Sequence, residues 1–102
     1  MFQRGDLRSV RKFEWDPEKN ISNVRKHGID FDVAKVCFLD PILIRVDDRN
    51  DYGEERYEAI GLAFGLTVHV IFTIRNADTV RLISAWKGGR DARKAYRDAF
   101  LG

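Results

Sequence analysis

The chain has 102 residues, 44% of them apolar and 33% charged, with a formal net charge of +2. That length makes one domain, able to bury roughly two-thirds of its unfolded surface, and the apolar and aromatic content excludes a disordered segment. A single cysteine, Cys37, excludes an internal disulfide, and with only two histidines it argues against a structural zinc site. No apolar run approaches membrane-spanning length, and no signal-peptide core opens the chain. The expected setting is a reducing cytoplasm, with no membrane and no cofactor.

The small net charge is unevenly spread. Arg4, Arg8, Arg11 and Lys12 against Asp6 leave +3 on residues 1–12, residues 40–58 carry −4, and residues 81–98 carry +4. Basic ends around an acidic waist suit a protein that meets RNA with one surface, although ordinary solvated faces give the same pattern.

Taken in order, residues 1–12 show no periodicity and are expected to form a mobile basic arm or a short frayed helix, outside a single domain at 13–102. Phe13-Glu14-Trp15 alternates like a short strand. Asp16-Pro17 is a helix start, a capping carboxylate before proline, and Gly28 stops the helix after His27. Its apolar stripe is only Ile21 and Val24, so it belongs on the surface. Asp30 caps a second helix, in which Phe31, Ala34, Cys37 and Phe38 share a face before Asp40-Pro41 ends it.

Strands follow at 42–46, 56–64, 66–75 and 79–88, with a polar loop over 47–53 and tight turns at Gly65 and at Asn76-Ala77-Asp78. Alternation puts Val80, Leu82, Ser84 and Trp86 on one face of the last strand, and Arg81, Ile83, Ala85 and Lys87 on the other. Gly88-Gly89 breaks that strand. Residues 90–100 then have helical spacing, with Ala92, Ala95, Tyr96 and Ala99 on one stripe. The expected fold is α+β: two N-terminal helices and one C-terminal helix on an antiparallel sheet of about four strands.

Three clusters could carry chemistry. Arg25-Lys26-His27 sets two cations and an imidazole at a helix end, which suits RNA cleavage and equally suits plain C-capping. Glu54, Glu55 and Arg56 sit at a loop-to-strand junction, where a carboxylate beside a cation can serve as general base, or form only an exposed ion pair. Arg81, Ser84 and Lys87 on the last strand could hold a scissile phosphate. Trp15, Trp86 and Tyr96 could stack on bases or simply fill the core. His69 reads as a half-buried packing residue.

Several motifs together resemble a known family. Phe13-Glu14-Trp15-Asp16 with Lys19-Asn20, Lys26-His27-Gly28-Ile29 with Phe31, Asp40-Pro41, Gly53-Glu54-Glu55-Arg56 with Gly61, and Arg81-Leu82-Ile83-Ser84-Ala85 follow the order and spacing of BrnT toxins over about residues 13–96. The resemblance implies a RelE-like ribonuclease toxin of a type II toxin–antitoxin module that cuts RNA and stops translation and growth. It also implies a BrnA antitoxin partner that neutralises the toxin, with operator DNA bound only through the toxin–antitoxin complex. The implied site draws on Arg25, His27, Glu54, Glu55, Arg56, Arg81, Ser84, Trp86 and Lys87. One position departs from the family: where it usually reads Ser-Ala-Arg-Lys-Ala, this chain reads Ser84-Ala85-Trp86-Lys87-Gly88. Tryptophan gives up the bidentate phosphate contact of an arginine, a loss of about a hundredfold in rate or more. Trp86 therefore marks either a variant that stacks a base there or a weakened toxin, for which a co-repressor role bound to antitoxin is the alternative.

Overall fold

The computed structural model describes residues 1–49 and 51–102; residue 50, inside the loop expected at 47–53, lies outside the described residues. Helix α1 runs Pro17–His27 between the two expected signals. Asp16 accepts the Glu18 N–H at 2.9 Å, and Gly28 takes the left-handed φ of +72° while its N–H bonds the Val24 carbonyl at 2.8 Å. Ile21 and Val24 are exposed, as the thin stripe implies. The helix docks instead through buried Asn23, whose amide nitrogen donates to the Ile29 and Ala85 carbonyls and whose oxygen accepts the Ala85 N–H. An apolar side chain there would leave both backbone groups of Ala85 without these partners.

The second expected helix divides. Asp30 caps it as the sequence indicates, accepting the Asp32 N–H at 2.8 Å. Yet α2 covers only Phe31–Ala34 before the chain tightens into a 3-10 helix at Lys35–Leu39. In 3-10 winding, residues three apart eclipse, which keeps Ala34 above Cys37 on the sheet. The fit beneath is close. A Cβ on Gly61 would lie 2.8 Å from Cys37 Cβ, so only glycine admits the helix here.

Among the described residues the sheet has six strands and is mixed, which corrects the expected antiparallel sheet of about four strands. Its strands are β1 (Gln3–Gly5), β2 (Lys12–Glu14), β3 (Ile42–Asp47), β4 (Arg56–Ala63), β5 (Leu66–Arg75) and β6 (Thr79–Lys87), in the order β1-β3-β4-β5-β6-β2. The central meander is antiparallel as expected, and β1 adds antiparallel to β3, whereas β2 adds parallel to β6. Residues 1–12 therefore supply an edge strand where a mobile arm or frayed helix was expected. Short polar segments such as Gln3-Arg4-Gly5 carry no strand periodicity of their own, and pairing to β3 decides their conformation.

One sheet face carries α1, α2 and the 3-10 helix over a core that includes Phe31, Phe38, Val70, Phe72 and Leu82. Helix α3 (Arg90–Phe100) covers one end of the opposite face, where Ala92 and Tyr96 meet Leu43 and Ile60. The Tyr96 hydroxyl donates to the Pro41 carbonyl at 2.8 Å. The remainder of that face is open.

A bulge in β6 changes which residues reach the open face. Ile71 pairs with Ser84 and Phe72 with Leu82, so Ile83 is an extra residue. Strict alternation is broken there. Val80, Leu82 and Ala85 all enter the helix-covered core, while Ser84 and Trp86 join the face of Arg81. Lys87 falls on the opposite side from Trp86.

Candidate active site

On the open face lies a cleft of about 410 Å³ lined by His27, Arg56, Ser84 and Trp86, with Asp47, Arg49 and Tyr52 at one side. His27 comes from the end of α1. It lies one helical turn beyond Asn23, so the bonds that fix Asn23 to Ala85 also bring His27 beside Trp86, with ring centroids 6.2 Å apart. Ser84 is tied to the same anchor, its hydroxyl donating to Asn23 Oδ1 at 3.3 Å. Arg56 opens β4, with its guanidinium 4.0 Å from the Tyr52 ring and its Nε 3.3 Å from Glu54 Oε2.

Asp47 closes the side of the cleft. Its buried carboxylate accepts from Arg49 Nε at 2.7 Å and Nη2 at 3.0 Å, and from the Tyr52 hydroxyl at 3.4 Å. Those bonds, Arg49 foremost, hold the carboxyl below its ordinary range. The cleft therefore combines fixed positive charge, a hydroxyl, an imidazole and an indole, a set that can bind a phosphodiester and move a proton near it.

A row of side chains crosses the strands beside this cleft. Glu58, buried on β4, accepts from Arg45 on β3 at 2.8 Å and contacts His69 Nδ1 on β5 at 2.7 Å. Burial pushes the Glu58 carboxyl up, but the bonds from His69 and Arg45 together outweigh it and leave the group below its ordinary value. His69 in turn stacks on Trp86 of β6, with centroids 5.0 Å apart and planes 10° from parallel.

The residues expected from the sequence separate into two groups. His27, Arg56, Ser84 and Trp86 converge on the cleft. Glu54 stands behind it, bonded to Arg56 and to Arg75 Nη2 at 3.4 Å. Arg81 faces Glu14 on β2, its Nη1 2.6 Å from the carboxylate. Arg25, Glu55 and Lys87 are exposed and do not line the cleft. Among the candidate stacking aromatics, Trp15 packs edge-on against Phe31 and Tyr96 is buried on the sheet-facing side of α3, so of these three Trp86 lines the cleft. Sequence reasoning missed Asp47, Arg49, Tyr52 and Glu58. Their charges were visible, but only strand register brings them together.

The family model described as "Ribonuclease toxin, BrnT, of type II toxin-antitoxin system" matches residues 15–95. The chain belongs to the BrnT family. A solved BrnT, the Brucella abortus ribonuclease toxin, matches with a TM-score of 0.55 and 24% identity, over 79% of this chain and 100% of that one. That likeness supports the shared α+β fold. No curated protein matches. Strands β1 and β2 both lie before the residues matched to the BrnT family. No helix of the described residues is long and apolar enough to cross a membrane.

Proposed function

We propose that this BrnT-family chain is a metal-independent endoribonuclease of the cytoplasm that cuts RNA, arrests translation and growth, and is neutralised by a BrnA antitoxin. Operator DNA is bound only by the toxin–antitoxin complex. The observation that carries this reading is the convergence of His27, Arg56 and Ser84 around Trp86 in one open-face cleft. In the reaction a general base of the protein takes the ribose 2′-hydroxyl proton, the 2′-oxygen attacks the adjacent phosphorus, and the P–O5′ bond breaks. His27 gives a proton to the leaving 5′-oxygen, and Arg56 stabilises the extra charge on the phosphoryl oxygens. Ser84 orients a phosphate oxygen. The product carries a 2′,3′-cyclic phosphate.

The other expected residues take outer roles in this proposal. Glu54 holds Arg56 in place. Arg25, Arg81 and Lys87 attract the flanking phosphates, Arg81 after parting from Glu14. Glu55, exposed beside Tyr52 and Arg56, lines the adjoining hollow and stands as a candidate carboxylate at its rim.

A second reading has one observation in its favour. The Trp86 indole already has His69 stacked on it, at the position where the family usually places an arginine. A cleft without that cation suits a weakened toxin that serves as an antitoxin-bound co-repressor. Cleavage of RNA by the antitoxin-free protein and by W86R, both in EDTA, separates the two. Wild-type cleavage that persists in EDTA supports the ribonuclease. Strict magnesium dependence overturns the metal-independent mechanism, and cleavage by W86R alone favours the weakened toxin.

A further inference from the structure

The row Arg45–Glu58–His69–Trp86 does more than satisfy a buried carboxylate. Both Glu58 oxygens are occupied, Oε1 by Arg45 and Oε2 by His69 Nδ1. Held below its ordinary value by these bonds, the carboxylate is ionised at neutral pH and can only accept. In the neutral ring the proton therefore sits on Nδ1, and Nε2 carries the lone pair. No described residue hydrogen-bonds Nε2.

The ring is fixed in two directions, by the carboxylate at one nitrogen and by the indole plane against its face. Arg45, the other partner of Glu58, is itself held 4.2 Å from the Phe2 ring. The His69 side chain is 17% exposed and borders a groove of about 450 Å³ between the sheet and the start of α3, walled by Phe2, Ile60 and Ala92. Trp86 thus has two imidazoles as neighbours, His27 on the cleft side and His69 on the groove side. A carboxylate-oriented imidazole with an open Nε2, set beside a phosphate-binding cleft, has the geometry of a general base.

We propose that His69 is a second catalytic residue of RNA cleavage, with Nε2 taking the ribose 2′-hydroxyl proton and Glu58 as its positioning residue. This inference rests on the ribonuclease reading above. The 2′-oxygen forms its bond to phosphorus as its proton passes to Nε2, and the 5′-oxygen leaves with a proton from His27. The imidazolium so formed is stabilised by the Glu58 carboxylate and by the indole face. RNA would then lie across the Trp86 edge, from the cleft into the groove.

The test compares wild type, H69Q and E58Q on a single-stranded RNA oligonucleotide in EDTA across pH 5–9, with melting curves for each. H69Q leaves Glu58 paired with Arg45, and its melting curve checks that the fold is retained. Its kcat should fall about a hundredfold or more with little change in KM. E58Q should fall less and should move the acid limb of its rate profile to lower pH, because a neutral amide no longer favours the imidazolium. A second readout needs no RNA. In an H27Q/W15F background, which leaves His69 as the one imidazole beside Trp86, its emission should be quenched in acid by the imidazolium, and this pH dependence should vanish in H27Q/H69Q/W15F. Wild-type rates in H69Q, or an unmoved acid limb in folded E58Q, would overturn the proposal. If wild type leaves RNA uncut while the emission titration is present, the ribonuclease reading has failed and takes this role with it. A flat titration instead shows that the His69–Trp86 stack is absent, which also overturns the proposal.

Discussion

The two faces of the sheet are built from the same strands and solve opposite problems. Beneath α2 and the 3-10 helix, Ile42, Ala59, Val70, Phe72, Val80 and Leu82 join one apolar core and are closed to water. On the other face α3 covers one end, and the remaining strands have no helix above them. There the side chains satisfy one another across strands, Arg45 with Glu58, Glu58 with His69, and His69 with Trp86. Hydrophobic burial makes the first face stable and chemically inert. The second retains charge and ring nitrogens because cross-strand partners satisfy them even where, as at Glu58 and Asp47, the side chains are buried. Stability and reactivity are thereby assigned to different sides of one scaffold.

That division is easiest to break from the covered side. Phe38→Ala should cost about 3–5 kcal/mol, read as a lower urea midpoint, because Phe38 is fully buried against Phe13 and Phe72. Cys37 provides an independent reporter. Burial pushes its thiol up to about 12, so alkylation should proceed only as fast as the protein unfolds. Asn23→Ala comes next, at about 2–3 kcal/mol, since it removes partners from the Ile29 carbonyl and from both backbone groups of Ala85. It should also slow RNA cleavage by detaching His27 from Trp86. Unchanged cleavage in a destabilised N23A protein would show that the anchor serves the fold alone.

Smaller effects come from the open face. The folded carboxyl of Glu58 lies below its ordinary value near 4.5. Its contribution to stability is therefore present above that value and lost as the pH falls through the lower, folded value. E58Q should flatten this part of the stability-against-pH curve. Lys94→Ala, which removes an exposed pair with Asp98 on α3, should leave the urea midpoint unmoved within error.

Much of the covered face was legible in the sequence because its signals are local. Asp16-Pro17, Gly28 and Asp30 fixed the ends of α1 and the start of α2, and β5 and α3 occupy the spans that their periodicity indicates. What escaped depends on pairing. Gln3–Gly5 becomes a strand through β3, and the extra residue at Ile83 is visible only from the partner register. The same holds for the candidate site. His27, Arg56, Ser84 and Trp86 could be selected one at a time from chemistry and family likeness. Glu58 and the orientation of His69 required knowledge of which residues stand opposite one another. Arg81 was chosen as a cation for phosphate, and the fold adds a partner the sequence did not show, Glu14 on β2.

The placement of β1 and β2 also constrains how the molecule is completed. Both come from the first fourteen residues, yet they occupy opposite margins of the sheet. Laid flat, six strands would hold those margins about 24 Å apart, a distance that the seven steps from Gly5 to Lys12 cover only when fully drawn out. They are not drawn out: the Val10 N–H bonds the Leu7 carbonyl in a turn, and both side chains rest on the covered core. The sheet must therefore curl toward a half-barrel, with residues 6–11 as a belt across its hollow side. Glu14 of β2 meets Arg81 of β6 across 67 residues of chain. Each margin thus ends in a strand of only three residues, which limits the edge left for pairing with other chains.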